Sequence, residues 1–176
     1  MYLIRGKHNL ELFKKLYKDT KLHATIGNFD GLHKGHQSIL SKIKERAKET
    51  KASSVVFFTE PHASEYFAIS TNTDAEAPPR ICPWRKKFEL LEEYGIDFAF
   101  FLKFNSSLRK MTPETFISDI LEPVGLLSLT VGDDFRFGAN RAGDFQLLRE
   151  WGLKNNIDVT NTETYLHLNE RVSSTR

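Results

Sequence analysis

Apolar runs rich in β-branched and aromatic residues alternate along this chain with stretches whose apolar positions recur at helical spacing. "LHATIGNF" (22–29), "SSVVFFT" (53–59), "DFAFFLKF" (97–104), "LSLTVGD" (127–133) and "DVTNTETY" (158–165) read as strands. Between them, Ile39, Leu40, Ile43 and Ala47 share one helix face, and Trp84, Phe88 and Leu91 share another. "TPETFISDIL" (112–121) opens as a helix should, with Thr112 as N-cap and Pro113 in the first helical position. "GDFQLLREWGLKNN" (143–156) supplies a further helix with Asp144 at its start. Residues 1–20 read as a short extra strand and helix at the sheet edge.

Strand and helix patterns taking turns predict a parallel sheet covered on both faces. The right-handed crossover rule then gives a doubly wound, Rossmann-like α/β domain spanning residues 1–176. One segment breaks the alternation. "EPHASEYFAISTNTDAEAPPR" (60–80) has no clear period and is expected to be a long loop, of the kind that is functional or disordered.

Composition narrows the function classes. Apolar residues make up 40% and charged residues 27%, a globular profile. A net charge of +2 gives no electrostatic case for nucleic acid or an anionic membrane as partner. No apolar run approaches the ~20 residues of a membrane span, and the opening "MYLIRGKHNL" has no signal-peptide core. The lone cysteine, Cys82, cannot form an internal disulfide. A cytoplasmic protein is the expectation.

The chemistry concentrates in "TIGNFDGLHKGHQSIL" (25–40), between the first core strand and the next helix. In doubly wound folds that position, beyond the carboxyl end of a strand, is where ligands bind. Glycines let backbone approach a ligand, and free N–H groups at a helix start attract phosphate. The turn is neither G-x-G-x-x-G nor G-x-x-x-x-G-K-[ST]. His33 and His36, three apart, fall on one side of a helical turn and can stabilise phosphate charge. Each residue also has a plainer reading: a hydrogen-bonded surface histidine, half of a zinc site lacking its partners, or Asp30 as a helix cap.

"GNFDGLHKGH" resembles the G-x-F-D-G-x-H-x-G-H signature of H-x-G-H nucleotidylyltransferases. With "LIRGKHNL", "FFTEPHA", "APPR", "VGDDFRFGANRAGDFQLL" and "RVSSTR", nearly the whole chain is similar to the adenylyltransferase module of bacterial FAD synthetase, the bifunctional riboflavin kinase/FMN adenylyltransferase family. The resemblance implies transfer of AMP from ATP to FMN, giving FAD, with Mg²⁺ accompanying ATP and no dedicated metal site on the protein. A riboflavin kinase domain is expected in cis in a full-length parent. The resemblance also implies an ATP cradle of Gly27, Asn28, Phe29, Asp30, Gly31 and Gly35, with His33 and His36 on the α- and β-phosphates.

Two further motifs complete the expected site. Asp133, Asp134 and Arg136 cluster at a strand end, alternating with Phe135 and Phe137, so that an aromatic can stack on a flat ring and Arg136 can meet a phosphate. Turn residues such as Gly138 are the ordinary alternative. The resemblance makes Asp134, Phe137 and Gly138 flavin and nucleotide contacts, and makes Pro61 and His62 part of a flavin flap, with Phe67 a weaker candidate. Arg171, Ser173, Ser174 and Thr175 offer one fixed cation and several hydroxyl donors, a polyphosphate clamp. The resemblance assigns that clamp to the β- and γ-phosphates, with Arg171 and Ser174 acting in catalysis. The family pattern closes on an arginine beyond Arg176. Other phosphorylated acceptors, a non-catalytic flavin or nucleotide module, and a metal-binding regulator stay open as alternatives.

Overall fold

The computed structural model describes residues 1–70, 83–162, 166–167 and 170–171. Its centre is a six-stranded sheet in the order β1-β4-β3-β2-β5-β6, with β1 Tyr2–Arg5, β2 Leu22–Ile26, β3 Ser53–Glu60, β4 Phe98–Lys103, β5 Leu126–Gly132 and β6 Asp158–Thr162. Every pairing in it is parallel. The helices are α1 Gly6–Leu16, α2 Lys34–Thr50, α3 Ala63–Ser70, α4 Trp84–Glu93, α5 Ser106–Lys110, α6 Pro113–Phe116 and α7 Phe145–Asn155. A small antiparallel pair follows, β7 Leu166–His167 and β8 Glu170–Arg171.

The sheet strands are apolar on both faces because both are covered. On β3, Val55 and Phe57 enter one core while Val56 and Phe58 enter the other, as period-two alternation requires. The first core gathers Leu10 and Phe13 of α1, Phe116, Leu121 after α6, and Leu148 and Trp151 of α7. The second packs Leu40 and Ile43 of α2 against Leu91 of α4. This is the doubly wound arrangement that the alternating pattern predicts, with β1 and α1 at the edge as expected.

Local rules set the helix ends. Thr112 accepts from the Thr115 N–H at 3.2 Å, and Asp144 from the Leu147 N–H at 3.0 Å. Past Phe116 the helix widens into a π turn, Ile117–Leu121, and tightens into a 3₁₀ turn at Glu122–Val124. Of the buried predicted faces, Leu40, Ile43, Ala47 and Leu91 are fully inside; Ile39, Trp84 and Phe88 are half-buried.

The expectation of a loop over 60–80 needs correction in its first half. Ala63–Ser70 is helical. Its residues are middling helix formers apart from Ala63, Glu65 and Ala68, and its apolar residues spread around the axis instead of forming one stripe, so neither propensity nor periodicity gives a signal. Residues 71–80 lie outside the described residues, as do 163–165 of the last expected strand.

Among the described residues, no helix is long and apolar enough to cross a membrane. Leu129 is completely buried where β5 lies between β2 and β6. Leu129→Ala is expected to lower unfolding free energy by about 2–5 kcal/mol, read from urea midpoints at unchanged slope.

Candidate functional site

The turn after β2 concentrates left-handed backbone. Phe29, Gly31 and Leu32 all take positive φ, at 48°, 71° and 39°. For Phe and Leu that region is costly, about 1–3 kcal/mol per residue. Burial offsets it: the Phe29 side chain is 1% exposed and Leu32 is 6%, both in the core beneath α2. Gly27 makes room for this, since a Cβ there would sit 3.0 Å from the Phe29 ring. Phe29 is therefore an anchor as well as a cavity-lining residue.

The anchored turn delivers the two histidines. His33, not Asp30, is the N-cap of α2; its Nδ1 accepts from the His36 N–H at 3.4 Å. An accepting Nδ1 leaves the proton of neutral His33 to Nε2. The two imidazoles stack with centroids 3.7 Å apart, inclined by 22°, and the Phe29 ring buttresses His36 at 4.9 Å. Burial first, then the neighbouring His33 and Lys87, pushes the His36 pKa down to about 3, against a smaller opposing pull from Asp30. Burial likewise lowers His33, with Asp30 opposing. Both rings are thus neutral at pH 7. His36 Nδ1 and Thr25 Oγ1 are the buried side-chain polar atoms that have no hydrogen-bond partner among the described residues.

Above this turn lies a cavity of about 830 Å³. One wall carries Gly27, Asn28, Phe29, His33, Gly35 and His36; the facing loop after β5 carries Asp134, Phe135, Arg136, Phe137 and Gly138. The residues predicted from two distant motifs therefore meet. Phe135 and Phe137 stack on each other at 5.7 Å and 16°. Phe137 is buried against Phe116, so most of its ring is already covered by protein. Arg136 donates to its neighbour's Phe135 carbonyl at 2.9 Å. Gly138 has φ of 73° and a Cβ there would lie 2.8 Å from Pro113, so only glycine fits the bend.

His62 lines the cavity from the start of α3, its Nδ1 within 2.8 Å of Ser64 Oγ. Phe67 lines it too, packed on Phe104 at 6.1 Å with the Arg109 guanidinium 5.0 Å above its ring. Asp30, Gly31 and Pro61 adjoin the lining residues but are not among them. Arg171 falls in β8; Ser173, Ser174 and Thr175 lie outside the described residues. Sequence reasoning missed the apolar wall made by Phe57, Leu102, Phe104, Leu108 and Phe116, together with Arg109 and Arg141. The signal for Phe104 was present: it directly follows a strand's carboxyl end. Among the described residues, no group of three His, Cys, Asp or Glu side chains is placed to hold a metal ion.

The family model for FAD synthetase matches residues 16–176. The chain belongs to the FAD synthetase family. The bifunctional riboflavin kinase/FMN adenylyltransferase of Escherichia coli K12 is 39% identical over 176 residues, covering 99% of this chain and 53% of that protein. Those of Pseudomonas fluorescens and Haemophilus influenzae are 39% and 32% identical, over 100% and 99% of this chain. The chain spans about half the length of these curated relatives, 53% and 54% of the latter two. A crystal structure described as a macrolide-efflux protein from Streptococcus pneumoniae superposes with a TM-score of 0.76 at 20% identity, covering 99% of this chain and 54% of that one. That likeness confirms the α/β fold of the FAD synthetase family member seen here.

The depressed histidine pKa values carry a stability consequence. The unfolded chain binds protons near pH 6.5 that folded His36 refuses until about pH 3. Stability is therefore full above pH 6.5 and falls as pH drops toward 3, by up to about 1.4 kcal/mol per pH unit for one such group. Urea unfolding at pH 7.5 and pH 5 is expected to show this loss, and His36→Gln is expected to reduce it.

Proposed function

We propose that this chain transfers AMP from ATP to FMN, giving FAD and pyrophosphate. What supports the reading is the meeting of the H-x-G-H turn and the D-F-R-F-G loop across one cavity, in a member of the FAD synthetase family. The cavity is large enough for a flat polycyclic ring beside a nucleotide, and its wall divides in the same way. Glycines and the two histidines line the α2 side, and Phe104, Leu108, Phe135 and Phe137 line the α5 and β5 side together with Arg109, Asp134 and Arg136.

An FMN phosphate oxygen attacks the α-phosphorus of ATP. The bond from that phosphorus to the oxygen bridging the β-phosphate breaks, and pyrophosphate departs. The attacking oxygen is already ionised at neutral pH, so the protein needs no strong base. Its work is alignment and charge stabilisation. His33 and His36 contact the α- and β-phosphates as neutral hydrogen-bond donors, and the backbone of Gly27, Asn28, Asp30, Gly31 and Gly35 forms the cradle. An arriving polyphosphate raises the proton affinity of both imidazoles. Arg171, Ser173, Ser174 and Thr175 hold the β- and γ-phosphates and then the leaving pyrophosphate. Mg²⁺ enters with ATP, bound mostly by substrate oxygens and water.

FMN occupies the apolar side, against Phe135, Arg136 and Gly138 with Asp134 at the strand end, and with Pro61 and His62 at the flap. A riboflavin kinase domain in cis in a full-length parent, as the relatives' names describe for them, and a cytoplasmic setting belong to the same proposal.

Incubating the 176-residue chain with ATP, Mg²⁺ and FMN is expected to yield FAD and pyrophosphate. Turnover with a different phosphorylated acceptor and none with FMN would reject FMN as the substrate. Tight nucleotide binding with no turnover would mark a non-catalytic module. His36→Ala is expected to lower the transfer rate by about 10²-fold or more while far-ultraviolet circular dichroism stays unchanged. An unaltered rate removes the histidine pair from the mechanism.

A further inference from the structure

Two arginines that belong to none of the recognised motif contacts line the cavity from neighbouring elements. Arg109 lies in α5, and Arg141 ends the short turn Ala139–Arg141. Backbone ties the two elements together: the Ala139 N–H donates to the Met111 carbonyl at 2.7 Å, just past Arg109 on one side and just before Arg141 on the other. The loop that carries Arg141 is closed at its base, where the Phe137 and Gly143 backbones exchange hydrogen bonds of 3.0 and 2.9 Å. Asn140 and Arg141 both take left-handed backbone, with φ of 56° and 57°. No other two consecutive non-glycine residues do so among the described residues. A β-carbon disfavours that region, and backbone of this kind gathers at ligand sites. Arg109 is held differently: its guanidinium lies 5.0 Å from the centre of the Phe67 ring, itself in the cavity wall. Neither guanidinium is ion-paired with a carboxylate among the described residues. Arg136, by contrast, already donates to the Phe135 carbonyl.

We propose that Arg109 and Arg141 form the subsite for the acceptor's phosphate monoester, the group that makes the attack. The proposal rests on the reading of this chain as an FMN adenylyltransferase. Like charges on packed elements repel each other, and an anion bound to both removes the repulsion. A phosphate monoester carries nearly two negative charges at neutral pH, which two guanidiniums match. Each guanidinium can also donate two parallel N–H bonds to phosphate oxygens. A guanidinium does not give up its proton, so the phosphate stays ionised and its oxygen stays nucleophilic. The loop bearing Arg141 continues from residues 134–138, which face the histidine turn across the cavity. An acceptor phosphate held on that wall stands opposite the nucleotide, the side from which its oxygen has to approach.

The test compares Arg109→Gln, Arg141→Gln, Arg141→Gly and the double glutamine variant with the wild type. Each is titrated with FMN and with riboflavin by flavin fluorescence, and with ATP and Mg²⁺ by calorimetry. Riboflavin lacks the phosphate and so reports on the ring alone. Each glutamine variant is expected to bind FMN about 10-fold more weakly and to bind riboflavin and ATP as the wild type does. The double variant is expected to lose most of the dependence of FMN affinity on KCl. Arg141→Gly relieves the left-handed strain, so its urea midpoint is expected to match or exceed that of the wild type while FMN binding still falls. An arginine with a merely structural role would not separate those two readouts. Unchanged FMN affinity in the double variant overturns the proposal. So does equal weakening of FMN and riboflavin, which puts the guanidiniums on the ring, or weakening of ATP in place of FMN, which puts them on the nucleotide. A wild type that binds no FMN rejects the acceptor together with the subsite. Variants that bind FMN as the wild type does reject the subsite alone and leave AMP transfer to FMN standing.

Discussion

The seating of one aromatic ring determines the shape of the candidate site. Phe29 is forced into left-handed backbone, and so is Leu32 three residues on. Each costs about 1–3 kcal/mol, and burying each side chain returns about 1.5–3 kcal/mol. The two effects are of the same size, so the turn keeps its shape only while both side chains stay in the core. That shape puts His33 at the cap of α2 and stacks His36 on it. A binding turn that had to face solvent could not be held by its own apolar side chains. This one is held from behind, by side chains that lie in the core.

Holding the histidines this way has an electrostatic cost. His36 loses water and gains two cation-forming neighbours, so the empty site keeps it neutral. Fixed positive charge then comes from groups that cannot lose their protons at neutral pH, such as Arg109, Arg136 and Arg141 in the cavity wall. In the proposed adenylyl transfer the imidazoles serve as directional donors instead of counterions. This division suits a reaction whose nucleophile arrives ionised, because the protein needs geometry more than basicity.

Much of this was legible in the residue pattern, and the gaps have physical causes. Strands of a doubly covered sheet announce themselves as continuous apolar runs, so β2 to β5 were found to within a few residues, and the start of the edge strand β6 was marked by its β-branched residues. Thr112 and Asp144 were legible as caps because their chemistry is local. His33 was not, since a histidine caps poorly by propensity and Asp30 looked the better acceptor; the positive-φ turn moves Asp30 out of the cap position. Helix α3 was invisible because it has no single apolar stripe. The wall from Phe104 to Leu108 was missed because its place beside the histidine turn depends on the strand order, in which β4 lies next to β3. That order is a tertiary fact; the one local sign was that Phe104 follows the carboxyl end of a strand.

The position of β1 bears on how the chain assembles. Tyr2, first in its strand, is matched with Phe98, and β1 touches no other strand of the sheet. Its partner lies far along the sequence, so β1 finds its neighbour only after β4 has been made. Until then the apolar side of α1, with Leu10 and Phe13, has no completed surface to lie against. A nascent chain must keep that segment from straying, and the edge strand is fixed only once β4 is there to pair with it.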